Sequence, residues 1–173
     1  WCGGMIGFVP VLMPLVPFFC GLLSGPVFML YSTKINKFGM MLIMGVIFGL
    51  VFSMSGHGAI TFPLIIIFSL LAEYVLKKGN YKSKKYARLS YVVFMLFGAS
   101  NLLPIFLARD AYIKSMISKG YGVEYTEKFM SVMPTWSFLP IVILGMIGGY
   151  IGCTIGIKIL NKYFKKQEWI DEN

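Results

Sequence analysis

His57 is the single histidine of the chain and stands in a Ser55-Gly56-His57-Gly58 turn between two apolar stretches. Its imidazole has neutral and protonated forms both accessible near neutral pH. It therefore suits ligand contact at the mouth of an external site or, more plainly, a solvated turn side chain. Arg109 and Asp110 follow a later apolar stretch directly. They read either as an interfacial pair that ends a helix or as a polar anchor at the bottom of an apolar pocket. Asn101 lies about two turns inside the same stretch, where an amide surrounded by hydrocarbon needs a partner. With Thr135 and Trp136, at the start of the last apolar stretch, these residues could line one cavity, although an aromatic belt accounts for Trp136 equally well. Glu73 precedes Lys77 by four residues, the spacing of a helical ion pair. The alternative is an intramembrane acid that couples protons.

Other chemistry is excluded by pattern. A GxxxxGK[ST] loop is missing from the sequence, so the chain does not itself grip ATP phosphates. It also lacks HExxH, and one histidine does not make a multi-histidine metal site. Cys2, Cys20 and Cys153 form no CxxC pair and lie in apolar stretches, which suits small packed residues rather than a disulfide framework or zinc. Ser, His and carboxylate residues show no recognisable triad spacing. The expectation is a protein that is not an enzyme and has neither cofactor nor metal.

The elements that must position these residues are membrane helices. The 173 residues are 57% hydrophobic and 13% charged, against about 25% charged in soluble domains. Residues 1–33, 38–72, 89–108 and 129–157 contain no Asp, Glu, Lys or Arg, and about 20 apolar residues suffice to cross a bilayer. The expectation is an all-α, polytopic membrane helix bundle forming one transmembrane domain over residues 1–173. Its spans fall near 18–33, 38–54, 59–76, 89–108 and 135–157, after the end of a truncated first helix at 1–9. An unbroken helix over the first 33 residues would be about 50 Å long, and Pro10, Pro14 and Pro17 interrupt it. An apolar connector over 11–17 therefore separates the first two spans, and Pro26 is tolerated as a kink.

Six spans place three basic clusters on one side. These are Lys34/Lys37, Lys77 to Arg88, and Lys158 to Lys166. The positive-inside rule makes that side, and with it the C-terminus, cytoplasmic. The net charge of +9 thus reports topology rather than a nucleic-acid partner, since the cations lie in short loops between apolar spans. The long external loop, 109–134, reads as two short helices about Gly120–Gly122, with Tyr112, Met116 and Lys119 on one face of the first. Loops of that length tend to be binding lids or disorder, and its aromatic and Met content argues against disorder. Glycines recur at four-residue spacing in Gly3/Gly7, Gly45/Gly49 and along Gly145–Gly156. Such faces serve close packing within the bundle or docking of a partner membrane subunit. The last span has more glycine than internal packing obviously needs.

The runs MPLVPFFCGLLSGPVFMLYSTKINKFG, SGHGAI, AEYVLKKGNYKSKK and ARDAYIKSMISKGYGVEY resemble the Trep_Strep family of bacterial membrane proteins. That family is similar to the substrate-binding S components of energy-coupling factor (ECF) transporters. The resemblance implies a six-helix S component in the bacterial plasma membrane that captures a micronutrient outside, a vitamin or a porphyrin. A transmembrane T component and two ATPase subunits would drive uptake. It also implies a substrate site at the outer ends of the later spans, which points to His57, Asn101, Arg109, Asp110, Tyr112, Thr135 and Trp136. Small residues at Gly3, Gly7, Gly45 and Gly49 become candidates for docking the partner. Two other classes remain open: a membrane-embedded enzyme acting on lipid or cell-wall intermediates through the Arg109-Asp110 loop, and an accessory membrane subunit without ligand.

Overall fold

The computed structural model describes residues 9–54 and 61–163. Gly3, Gly7 and His57 lie outside the described residues. A short 3-10 helix, Pro10–Leu15, leads into α1 (Val16–Lys34). Pro10 and Pro17 sit at the starts of these two helices, where a missing N–H removes no helical bond. Pro26 lies inside α1; without an N–H it leaves the Leu22 carbonyl without its helical donor.

The partner of that stretch is α8 (Phe138–Tyr163), which follows a 3-10 turn at Thr135–Ser137. α1 and α8 run in the same direction and meet backbone to backbone. A Cβ on Gly152 would stand 2.5 Å from the Leu22 carbonyl oxygen, and one on Gly25 would stand 2.5 Å from the Cys153 nitrogen. On Gly156 it would reach within 2.7 Å of the Pro26 Cα. Main chain cannot yield as a flexible side chain does, so only glycine fits these positions. The apparent surplus of glycine in the last span is thus consumed inside the bundle. The carbonyls of Phe18 and Leu22 face the Cα groups of Gly148 and Gly152, the geometry of the weak Cα–H···O contacts common between closely packed helices.

α2 (Met40–Met54) and α3 (Thr61–Lys78) pair antiparallel through a second small-residue seam. Gly45 faces the Ser69 side chain and Gly49 the Phe62 ring. These two candidates for partner docking are therefore occupied by packing between α2 and α3, since a Cβ on either would meet a side chain of the same bundle.

The span expected over 89–108 starts earlier and is divided into α4 (Lys84–Phe94) and α5 (Phe97–Leu107). Between them the amides of Leu96, Gly98 and Ala99 bond to carbonyls three residues back, a local 3-10 tightening that re-aims the helix. The earlier start matters because a search for charge-free windows assigned Lys84, Lys85 and Arg88 to a loop, whereas all three are helical. Among the described residues, three segments are long and apolar enough to cross a membrane: Val11–Lys34, Lys84–Leu107 and Thr135–Tyr163. Met40–Met54 is a shorter apolar helix.

The ends of α1, α2, α3 and α4 converge with their lysines at one end of the bundle, and Glu73 ties them. It is 1% exposed and accepts hydrogen bonds from the Met41 amide at 2.8 Å and from the Tyr81 hydroxyl at 2.9 Å. The expected ion pair with Lys77 gives way to this arrangement; the Lys77 ammonium lies over the Phe38 ring, 5.8 Å from its centroid. Tyr81 follows a helix stop in which Asn80 and Tyr81 adopt φ of 48° and 59°. The Tyr81 amide reaches back to the Leu76 carbonyl, as in a Schellman ending. A bulky side chain in left-handed backbone is disfavoured by about 1 kcal/mol, and the bond to Glu73 helps hold it there. The hydroxyl is correspondingly reluctant to ionise: burial, the hydrogen bond to Glu73 and its charge push the Tyr81 pKa up to about 12.

Candidate functional site

The segment between α5 and α8 folds as a two-helix cap. α6 (Arg109–Ser118) and α7 (Val123–Ser131) flank a turn in which Gly120 takes φ of +88°. The Tyr121 amide bonds to Met116 and the Gly120 amide to Ile117, a Schellman stop that needs a residue without Cβ at the left-handed position. Leu102 and Ile105 of α5, Met116 of α6, Phe129 and Met130 of α7, Met133 of the turn after α7 and Ile141 of α8 form a compact apolar core beneath the cap. Met13 of the N-terminal 3-10 helix and Phe106 and Phe138 pack against it. This core is separate from the larger one that joins α1–α4 and α8.

Arg109 fastens the cap. Its Nη1 donates to the Met133 carbonyl at 2.8 Å and its Nη2 to the Met130 carbonyl at 2.6 Å. Both acceptors lie at or just beyond the C-terminal end of α7, where helical carbonyls are unpaired and a cation complements the helix dipole. Arg109 is therefore a clamp for the cap. Asp110, in the first turn of α6, is exposed. Tyr112 stacks on Phe129 with ring centroids 6.2 Å apart, and Phe129 continues a ladder through Tyr125 and Tyr121. Burial, with the neighbouring Tyr121 and Tyr125, raises the Tyr112 pKa above the ordinary phenol value.

The structure thus brings Arg109 and Tyr112 together around the cap and leaves others apart. Thr135 is exposed and Trp136 is 75% exposed, so neither lines the core beneath the cap. Their place is that of interfacial residues at the head of α8. Asn101 is half-buried on α5, and its Oδ1 is enclosed without any hydrogen-bond partner. Sequence reasoning missed Phe129, Met130 and Met133. The four-residue spacing of Tyr121, Tyr125 and Phe129 marks an aromatic helix face, but nothing in the sequence says that the Met130 and Met133 carbonyls receive Arg109. Among the described residues, no cluster of His, Cys, Asp or Glu is arranged to hold a metal ion.

A bundle of closely packed apolar helices with a folded cap at one end defines the chain as an all-α integral membrane protein. Over residues 1–166 it matches the profile of a family described as hypothetical bacterial integral membrane proteins, Trep_Strep, and it belongs to that family. No curated protein and no solved structure matches it.

Proposed function

We infer that the chain is the substrate-capture subunit of an ECF-type importer, taking up a micronutrient at the capped end and passing it to a T component driven by two ATPase subunits. The observation that carries this reading is Asn101. Its amide oxygen is enclosed on α5 without a donor, one turn from the residues that floor the cap core. A buried acceptor left unpaired costs about 1–3 kcal/mol, and a donor on a bound nutrient would offset that cost. The cap supplies the other requirement of a small-molecule site, a mainly apolar surface with few polar groups. Its methionines, Met13, Met116, Met130 and Met133, add the adaptability of unbranched, polarisable side chains.

In this reading the capped end faces outward, and the lysine-rich end and C-terminus face the cytoplasm of the bacterial cell. Arg109 and Tyr112 hold the cap closed, and His57 is a further candidate contact. The nutrient is a vitamin in this reading; a porphyrin would need His57 as well. The exposed position of Asp110 and the use of both Arg109 terminal nitrogens on carbonyls favour capture over catalysis on lipid intermediates.

The test is co-expression of the full-length protein with the T component and ATPases of its own bacterium. Co-purification of the four-part complex, with nutrient-dependent thermal stabilisation lost in Asn101→Leu, is the expected result. Failure of the full-length protein to associate with any such module would overturn the reading.

A further inference from the structure

Among the described cations of the basic end, Arg88 is set deeper than the lysines that stand over aromatic rings. Lys77 lies over Phe38, Lys78 over Tyr74 and Lys162 over Tyr163, at 4.8–5.8 Å from the ring centroids. These three lysines are exposed, as expected of side chains that snorkel to the membrane surface. Arg88 instead is half-buried, in the second turn of α4 and one helical turn deeper than Lys84, about 6 Å along the axis. Its guanidinium stands over the Tyr150 ring of α8, 5.2 Å from the centroid.

Its hydrogen bonding is incomplete. Nε is enclosed without an acceptor, and Nη1 makes one long bond of 3.4 Å to the Tyr150 hydroxyl. Nor does a described carboxylate neutralise it. Glu73 is engaged by Met41 and Tyr81, while Asp110, Glu124 and Glu127 belong to the cap segment at the opposite end. A guanidinium this deep in a membrane protein is costly unless paired. It is also the side chain whose planar fork best matches a phosphate.

We propose that the face where Arg88 of α4 meets Tyr150 of α8 binds the phosphodiester of an anionic phospholipid from the leaflet at the basic end. Charge complementarity argues for this occupant. Lys85, exposed one turn nearer the basic end of α4, and Lys158, exposed two turns along α8 from Tyr150, add positive charge at headgroup level. Leu89 of α4 with Ile147 and Ile151 of α8 leave apolar surface exposed beside the pair, where acyl chains can lie. Basic pockets between membrane helices on one side of a bilayer are the general form of such sites. Arg88 presents the Nη edge to the phosphate, and the Tyr150 ring holds the guanidinium plane. The assignment is independent of the transport reading.

The test is native mass spectrometry of the purified full chain, titrated with phosphatidylglycerol or with phosphatidylcholine of the same acyl chains. Wild type is expected to retain one phosphatidylglycerol preferentially. Arg88→Gln should weaken that retention about fivefold or more, equivalent to roughly 1 kcal/mol, whereas Lys78→Gln should leave it unchanged. Equal retention of the two lipids by wild type, or wild-type retention by Arg88→Gln, overturns the site. So does an equal loss in Lys78→Gln, which would mean diffuse attraction to the basic end. Full thermal stabilisation by inorganic phosphate at matched concentration would assign the face to a soluble anion and overturn the lipid. Should Arg88→Gln not fold, the same retention is read on Arg88→Lys, which keeps the charge and loses the fork. A clear loss supports the assignment, and wild-type behaviour overturns it.

Discussion

The two ends of the bundle are each tied by one charged side chain, and the ties have opposite sign. At the basic end the Glu73 carboxylate accepts from the Met41 amide, in the first turn of α2, and from Tyr81. At the capped end the Arg109 guanidinium donates to carbonyls at the close of α7. In both cases a helix end has unpaired backbone groups and a partial charge, and a side chain of complementary sign satisfies both. The difference lies in depth. Glu73 is enclosed and joins helices of the main bundle, whereas Arg109 is half-buried and joins the start of α6 to the close of α7 within the cap. One tie lies within the scaffold, and the other closes the base of the cap.

That contrast breaks most sharply at Glu73. Glu73→Ala leaves a buried amide and a part-buried hydroxyl without an acceptor and is expected to destabilise the bundle by about 2–6 kcal/mol, at roughly 1–3 kcal/mol per orphaned group. The loss should appear as a fall in the thermal midpoint of the detergent-solubilised protein. Arg109→Ala should cost less, about 1–3 kcal/mol, the range of bonds made by a charged donor. Its signature should be local: faster amide exchange across 109–133, with protection in α1 and α8 retained. Equal loss of protection in α1 and α8 would show that the cap and the bundle are one cooperative unit.

The smallest effect is a pH dependence at the basic end. Tyr81 holds its proton more tightly in the fold, with a pKa raised from 10.0 to about 12. Its contribution to stability is complete below pH 10 and is lost as pH rises through 12. Wild type should therefore lose stability relative to Tyr81→Phe between those values. Parallel curves for the two proteins would separate Tyr81 from the tie.

Much of the membrane organisation was legible because it depends on local composition. Charge-free stretches announce apolar helices, and the Gly120–Gly122 signal announced the break between α6 and α7. The start of α4 was not legible, because a helix can extend into a basic cluster that a hydropathy window treats as loop. Glu73 and Lys77 stand at ion-pair spacing, yet the acid is used elsewhere, since helical spacing permits a contact and tertiary neighbours choose among those permitted. Asn101 was recognised as an amide in need of a partner, and the fold leaves its oxygen without one.

The sequence by itself determined that this chain lives in a membrane, with helices of bilayer-spanning length and its cations gathered between them. These properties are sums over neighbouring residues, and neighbours in the chain are enough to set them. Only the tertiary structure decided which glycines face which backbone, that Gly148 and Gly152 face the carbonyls of α1, that Arg109 clamps a cap, and that Arg88 stands over Tyr150 without a counter-charge among the described residues. Each of these joins residues far apart in the chain, and the energy of a backbone approach or a buried charge depends on what folding brings to the other side.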